Sequence, residues 1–322
     1  MKRRDFLAAS GLLALGPTAA LAQTWEPTRP LKMVVPWAPG GINDSLARLS
    51  AERIGTVLKQ SIVIDNRAGA NGQIGTQLVT QSPADGYSLL LITSGQHVLS
   101  VALGIKLPYH PLNDLTPLAQ LGEFPVVLVT RKDLPVTTAQ DLVALARARP
   151  GKLNVGVSGL GAISHLTIER LMGESGTSMV VVNYKGEAQT IAALLAGEVD
   201  VGVIANAEPY VRDRQMKALA SSGAQRWSRL PEVPTLIEAG FPGFTASGWA
   251  GLAVSAKTPP AVLDTLTRAA RSVLDTDEWR NLMRARGVQP TGRTGPELHA
   301  LMRADAERYR VLVQSRNIKL EG

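Results

Sequence analysis

The sequence contains no cysteine. That excludes a disulfide framework, a thiolate metal site and a lipid anchor through an N-terminal thiol. The 4 histidines, His97, His110, His165 and His299, show no ligand-pair spacing, so no metal site is expected. Aromatic residues make up only 4% of the chain, too few for the stacking platforms that hold single-stranded nucleic acid. Charge of one sign is never concentrated. The formal net charge of +7 is spread along 322 residues, with no block of about five like charges. A nucleic-acid binder would gather its Lys and Arg on one stripe, so no nucleic-acid partner is expected. Beyond the N-terminus no apolar run reaches the roughly 18 residues a membrane-spanning helix needs.

What is present is a globular composition, 45% hydrophobic and 19% charged, long enough for two domains at about 150 residues each. Residues 1–22 read as an export signal. Lys2-Arg3-Arg4 precede an apolar stretch at 6–15, then Pro17 and the small-residue end Ala20-Leu21-Ala22. Cleavage after Ala22 and a periplasmic location are predicted. Arg3-Arg4 with Phe6-Leu7 resembles a twin-arginine signal; an ordinary Sec signal carrying two arginines is the alternative.

Short apolar runs then alternate with amphipathic stretches. Strands are predicted at 31–35, 61–64, 87–92, 126–129, 153–157, 179–182, 199–204, 216–220 and 248–254. Helices are predicted at 44–58, 73–80, 139–149, 163–172 and 189–195, with another starting near Pro259. Thr138 and Thr258 are candidate N-caps, and Gly197 a candidate C-terminal stop. The alternation predicts an α/β fold of two units, each a mostly parallel sheet flanked by helices. Lobe 1 is expected to comprise 23–123 and 221–322, and lobe 2 to comprise 124–220. A ligand cleft would lie between them at the carboxyl ends of the strands.

Three polar loops follow predicted strands. The first holds Trp37, Ala38, Pro39, Gly40, Gly41, Asn43, Asp44 and Ser45, opening a helix. Its glycines expose backbone N–H groups, and the helix start is a seat for an anion. The plainer reading is a tight turn with Asp44 as N-cap. The second loop holds Ser158, Gly159, Gly161, Ala162, Ser164 and His165. It misses the dinucleotide fingerprint, and the chain has no G-K-[ST], so no nucleotide cofactor is expected. Ser158 with His165 is a conceivable hydrolase pair, but the glycine spacing of a nucleophile elbow is missing, and a serine there can equally be a cap. The third loop supplies Thr93, Ser94, Gln96 and His97. Together the three favour anion binding over catalysis.

Certain short motifs carry a family resemblance. They are Arg29-Pro30, Val34-Val35-Pro36 through Gly40-Gly41 to Asp44, Asn66-Arg67-Ala68-Gly69 and Ala84-Asp85-Gly86-Tyr87. Further on come Leu107-Pro108-Tyr109, Pro150-Gly151-Lys152-Leu153, Ser158-Gly159 with Gly161 and His165, and Tyr184-Lys185-Gly186. Leu230-Pro231-Glu232-Val233-Pro234-Thr235 with Glu238-Ala239-Gly240 completes the set. In this order they resemble the periplasmic substrate-binding receptors of tripartite tricarboxylate transporters, the Bug receptors. The resemblance implies a two-lobed, type II-like periplasmic binding protein without a cofactor or enzymatic activity. It implies that the first and second loops pinch one ligand carboxylate through backbone N–H groups and water, and that Tyr184, Lys185, Gly186 and Asn206 border the site. It also implies delivery of a small carboxylate to subunits of a tripartite tricarboxylate-type membrane transporter. A sensor role toward a signalling partner is a further reading, and a monomer is expected of a receptor that must close and dock. The chain departs from the family pattern at Trp37, at Ala38-Pro39, at Ala162 and at Glu187, and it lacks an acidic residue at 204–206.

Overall fold

The structure, a computed structural model, describes residues 25–37, 39–40, 42–184 and 186–317. The predicted signal at 1–22 and the site candidates Ala38, Gly41 and Lys185 lie outside the described residues. Ten strands are described: β1 (Leu31–Val35), β2 (Ile62–Asn66), β3 (Ser88–Thr93), β4 (Leu115–Pro125), β5 (Val127–Arg131), β6 (Asn154–Val157), β7 (Val180–Asn183), β8 (Val201–Ile204), β9 (Met216–Ser221) and β10 (Ser247–Ser255). The α-helices are α1 (Ile42–Leu58), α2 (Gln73–Gln81), α3 (Ser100–Ala102), α4 (Ala139–Ala148), α5 (Ile163–Ser175), α6 (Glu187–Ala196), α7 (Glu208–Arg212), α8 (Pro260–Leu274), α9 (Asp277–Ala285) and α10 (Gly295–Ser315).

The strands form two five-stranded sheets, ordered β2-β1-β3-β10-β4 and β7-β6-β8-β5-β9. In each, one strand runs against its neighbours: β10 in the first and β5 in the second. These are the strands by which the chain arrives from the other sheet. The fold is the two-lobed α/β arrangement that the alternating sequence predicts.

Both faces of each sheet are covered, which is why the strands read as apolar runs. Side chains alternate across the pleat. Leu31, Met33 and Val35 join the core under α1 and α8, whereas Val34 joins the opposite core with α10. Leu128 and Val127 divide the same way in the second lobe. The segment between β9 and β10 packs with the second lobe: Leu236, Phe244 and Ala246 enter one of its cores, and Trp227, Leu230 and Val233 the other.

Ser222 fastens the two chain crossings between the sheets. Its Oγ accepts from Val126 N–H at 2.9 Å and donates to Ala246 O at 2.5 Å. Its backbone N–H donates to Val126 O, and its O accepts from Ala246 N–H, each at 2.9 Å. A second tie runs through α5, whose buried Leu166 packs into the first lobe's core beside Leu99, Trp249 and Tyr309.

Several local signals behave as read. Thr138 accepts from Asp141 N–H in a reciprocal capping box, and Gly197 ends α6 in the left-handed region at φ +76°. Thr258 does not cap α8: Pro259 takes the cap position at ψ 147°, because the residue before Pro260 is driven out of the helical region. Asp44 is not an N-cap either, since α1 starts at Ile42 and places it within the first turn.

Candidate functional site: a cavity between the lobes

A cavity of about 530 Å³ opens between the lobes, within the range of small-molecule sites. Of the candidate residues, Trp37 lines it from the loop after β1, Asn43 from the first turn of α1, Thr93 from the end of β3 and Ser94 from just beyond it. Ser158, Gly159, Gly161 and Ala162 line it from the other lobe, after β6. Three loops thus meet at strand carboxyl ends in one place.

The remaining candidates lie elsewhere. Asp44 braces the first loop. One carboxylate oxygen accepts from Gly40 N–H at 2.9 Å and from Arg48 Nε at 3.0 Å, and the other from Asn66 Nδ2 at 2.9 Å. Asn66 Nδ2 also donates to Trp37 O at 3.0 Å, so the Asn66-Arg67 motif serves to shape this loop. Burial alone would raise the Asp44 carboxyl, but the bonds from Arg48, Gly40 and Asn66 outweigh it and hold it at about 2. The loop therefore keeps a fixed anion at its base, with its positive partners already engaged.

Gln96 and His97 are buried supports of the third loop. Gln96 Nε2 donates to Gly72 O and Thr76 Oγ1. Gly72 sits at φ +83°, and a Cβ there would come within 2.6 Å of the Gln96 side chain. His97 is fully enclosed, with Nδ1 beside Thr93 N–H at 3.3 Å and Nε2 beside Thr76 Oγ1 at 3.3 Å. Burial pushes its imidazole down to about 4, against a smaller upward effect from the Thr93 backbone, so the ring is neutral at pH 7. The loop itself turns as a π-helical stretch, Gly95–Leu99, a geometry often found at functional sites.

Ser164 and His165 hold the second loop. Ser158 N–H donates to Ser164 Oγ at 3.2 Å, and the two hydroxyls lie 3.1 Å apart. His165 Nδ1 accepts from Gly161 N–H at 3.0 Å, and its Nε2 lies 3.6 Å from Glu169. Ser158 and His165 therefore spend their polar atoms on other partners and do not form a nucleophile–base pair. Gly159 and Gly161 turn through φ +123° and +74°, which only glycine adopts freely.

Tyr184 packs among the side chains of the second lobe, its hydroxyl raised by burial and by the Glu198 carboxylate. Gly186 precedes α6 as its cap residue. Asn206 is exposed, and its backbone N–H donates to Glu187 at 2.9 Å. Pro39, Gly40 and Ser45 belong to the first loop and α1 without contributing to the cavity wall among the described residues.

Two features give the cavity its chemistry. Ala162 is the N-cap of the 13-residue helix α5 and offers no side-chain acceptor, so the first-turn N–H groups have no cap. In addition, Trp37 Nε1, Asn43 Oδ1 and Thr93 Oγ1 are shielded from solvent without a hydrogen-bond partner. Such groups cost about 1–3 kcal/mol each when left unpaired. The indole N–H, the hydroxyl and the helix N-terminus can all donate to a carboxylate.

Residues outside the candidate set complete the wall: Gly95, Leu99, Ser100, Leu103, Ile105, Phe124, Leu160, Ile163, Gly248 and Trp249. Phe124 and Gly248 belong to the crossing strands, and a Cβ on Gly248 would lie 2.3 Å from the Phe124 ring. In sequence these positions read as core, because a cleft floor and a core use the same apolar side chains.

The model of the tripartite tricarboxylate transporter family receptor matches residues 46–318. Protein BugT of Bordetella pertussis is 33% identical over 320 residues, covering 98% of this chain and 96% of that one. The structure of R. palustris Rpa4515 with adipate superposes with a TM-score of 0.78 at 34% identity, covering 91% of this chain and 98% of that one. MatC from Rhodopseudomonas palustris with bound malate superposes at 0.73 and 32% identity, covering 89% and 99%. The chain belongs to the tripartite tricarboxylate transporter receptor family.

Proposed function

We propose that this protein is a periplasmic receptor that closes over a small carboxylate between its lobes and delivers it to a tripartite tricarboxylate-type membrane transporter. The observation that carries this reading is the uncapped N-terminus of α5 in a cavity wall that also holds unpartnered Trp37 and Thr93 donors. A helix N-terminus with oriented donors compensates a carboxylate that would otherwise lose several kcal/mol of hydration. The adipate and malate complexes of relatives support the ligand class.

In this reading Trp37, Asn43 and Thr93 bind from one lobe and the 158–162 loop from the other. The moving units are residues 25–124 with 247–317, and residues 126–246, pivoting where Ser222 fastens the crossings. The signal at 1–22 exports the chain and is removed after Ala22. The exported receptor acts as a monomer.

A thermal-shift panel of the purified protein tests the proposal. It comprises di- and tricarboxylates, acidic amino acids, nicotinate- and benzoate-like acids, and uncharged isosteres as controls. Ligand at about 100 times its dissociation constant should add about 2.7 kcal/mol of stability. A rise with an acid and none with its isostere is the expected outcome; no rise with any acid, in protein refolded free of bound ligand, would refute it.

A further inference from the structure

Among the described residues, four glycines line the cavity: Gly95, Gly159, Gly161 and Gly248. Three of them are demanded by the protein itself. Gly159 and Gly161 turn through the left-handed region, and a Cβ on Gly248 would run into the Phe124 ring. Gly95 meets neither demand. It opens the π-helical stretch Gly95–Leu99 with its backbone outside the left-handed region. A Cβ built on it has no heavy atom of the surrounding protein within 4 Å.

Glycine in a helical turn is less stable than alanine, because it gives up more conformational freedom on folding. Neither backbone strain nor crowding calls for it at this position. The open space in front of Gly95 is the cavity, since Gly95 lines it while Ser94 and Gln96 on either side are buried. The remaining use of a glycine is to let another molecule approach the bare backbone.

The surroundings aim this notch at a ligand. Ser94 Oγ accepts from Trp249 N–H, and Gln96 Nε2 donates to Gly72 O and Thr76 Oγ1. Both flanking side chains are thus tied to the protein. Leu99 and Leu103, four and eight residues on, line the cavity on the same side as Gly95. The stripe carries two branched side chains and then, toward the end of β3, none. Thr93 at that end holds a buried, unpartnered hydroxyl, so a polar atom waits beside the notch.

Resting on the receptor reading above, we propose that Gly95 is a specificity-determining residue, on whose bare backbone the body of the ligand packs directly. The missing side chain sets the breadth of acid that the cavity accepts. A methyl group there overlaps the bound acid, and the overlap grows with the bulk of the acid at that point.

Calorimetric titration of wild type, Gly95→Ala and Gly95→Leu with succinate, malate, adipate, citrate and benzoate tests this, beside melting curves without ligand. Gly95→Ala is expected to melt no lower than wild type. It should bind the acid that wild type prefers about tenfold more weakly, the effect of overpacking one methyl group. The loss should be greater for bulkier acids than for smaller ones, and Gly95→Leu, which continues the leucine stripe, should abolish binding of the preferred acid. Affinities of Gly95→Ala within about threefold of wild type for every acid bound would overturn the inference and leave the receptor reading intact. A lower melting temperature with an equal loss for all acids would also overturn it, because the glycine would then serve the fold. Failure of wild type to bind any of the five acids would overturn the receptor reading, and the inference with it.

Discussion

Glu169 of α5 and Arg316 at the end of α10 join the two lobes through a carboxylate–guanidinium pair, with Oε2 3.1 Å from Nε. The other Glu169 oxygen lies 3.6 Å from His165 Nε2, and His165 Nδ1 accepts from Gly161 N–H. A chain of polar contacts therefore runs from the cavity loop to a helix of the opposite lobe. Burial would raise the Glu169 carboxyl, but His165 and Arg316 outweigh it and keep it below the usual carboxylate range.

Glu169→Gln keeps the shape and removes the charge. Because Arg316 is partly exposed, the stability cost should be modest, about 1 kcal/mol or less. Ligand affinity should fall severalfold, since the His165 ring that holds Gly161 N–H loses the carboxylate that steadies it. Calorimetric titration beside a melting curve separates the two effects; a fall in melting temperature without a change in affinity would contradict the positioning role.

His97 gives the fold a pH dependence with a definite sign. The unfolded ring takes up a proton as pH falls through 6.5, whereas the buried ring resists until about 4. The unfolded state therefore binds more protons across that window, and stability falls as pH falls. The full effect is about 3 kcal/mol near the lower end. Melting temperatures of wild type and His97→Gln between pH 7 and 4.5 should show a steeper loss in wild type; parallel curves would contradict it.

Ser222→Ala should loosen the pivot. It strips the buried Val126 N–H of its side-chain acceptor and Ala246 O of a donor. An unpaired buried donor costs about 1–3 kcal/mol, so melting should drop by several degrees. Small-angle scattering should also show a broader range of lobe separations without ligand. An unchanged melting temperature would mean that other contacts fasten the crossings.

Thr93→Val replaces an unpartnered, buried hydroxyl with a methyl group of similar size. In the absence of ligand this should be neutral or slightly stabilising, because a polar atom without a partner is removed. With ligand present the variant should lose affinity by about tenfold, the worth of one hydrogen bond to a charged acceptor. Equal affinity in both proteins would place the carboxylate away from β3.

Much of this was legible in the chain itself. The strands around Val34, Leu128 and Val155 show because sheets covered on both faces need continuous apolar runs, and Thr138 and Gly197 mark helix ends by local chemistry. The strand β4 was missed because Pro117, Gln120 and Gly122 interrupt its apolar pattern. The helix α10 was missed although Thr294 and Glu297 form a capping box that could have announced it. The loops after β1, β3 and β6 were found from their polar, glycine-bearing composition. Which of their side chains line the cavity was not readable, because His97 and Gln96 look as reactive in sequence as Thr93 does. Position and partners distinguish the supports from the wall: Gln96 and His97 bond to Gly72, Thr76 and Thr93, whereas Thr93 Oγ1 is unpartnered and its residue lines the cavity.

Ala162 stands where the ligand carboxylate and a helix cap would compete for the same N–H groups of α5. Ala162→Asp supplies the missing cap of α5 from within the chain, which should stabilise the unliganded protein by about 0.5–2 kcal/mol. The same carboxylate would occupy the place assigned to the ligand. Titration of wild type and variant with a binding acid and with its primary amide is the measurement. Wild type should bind the acid at least a hundredfold tighter than the amide, and the variant should be more stable and have lost the acid. Equal binding of acid and amide, or an Ala162→Asp protein that still takes up the acid, would contradict it.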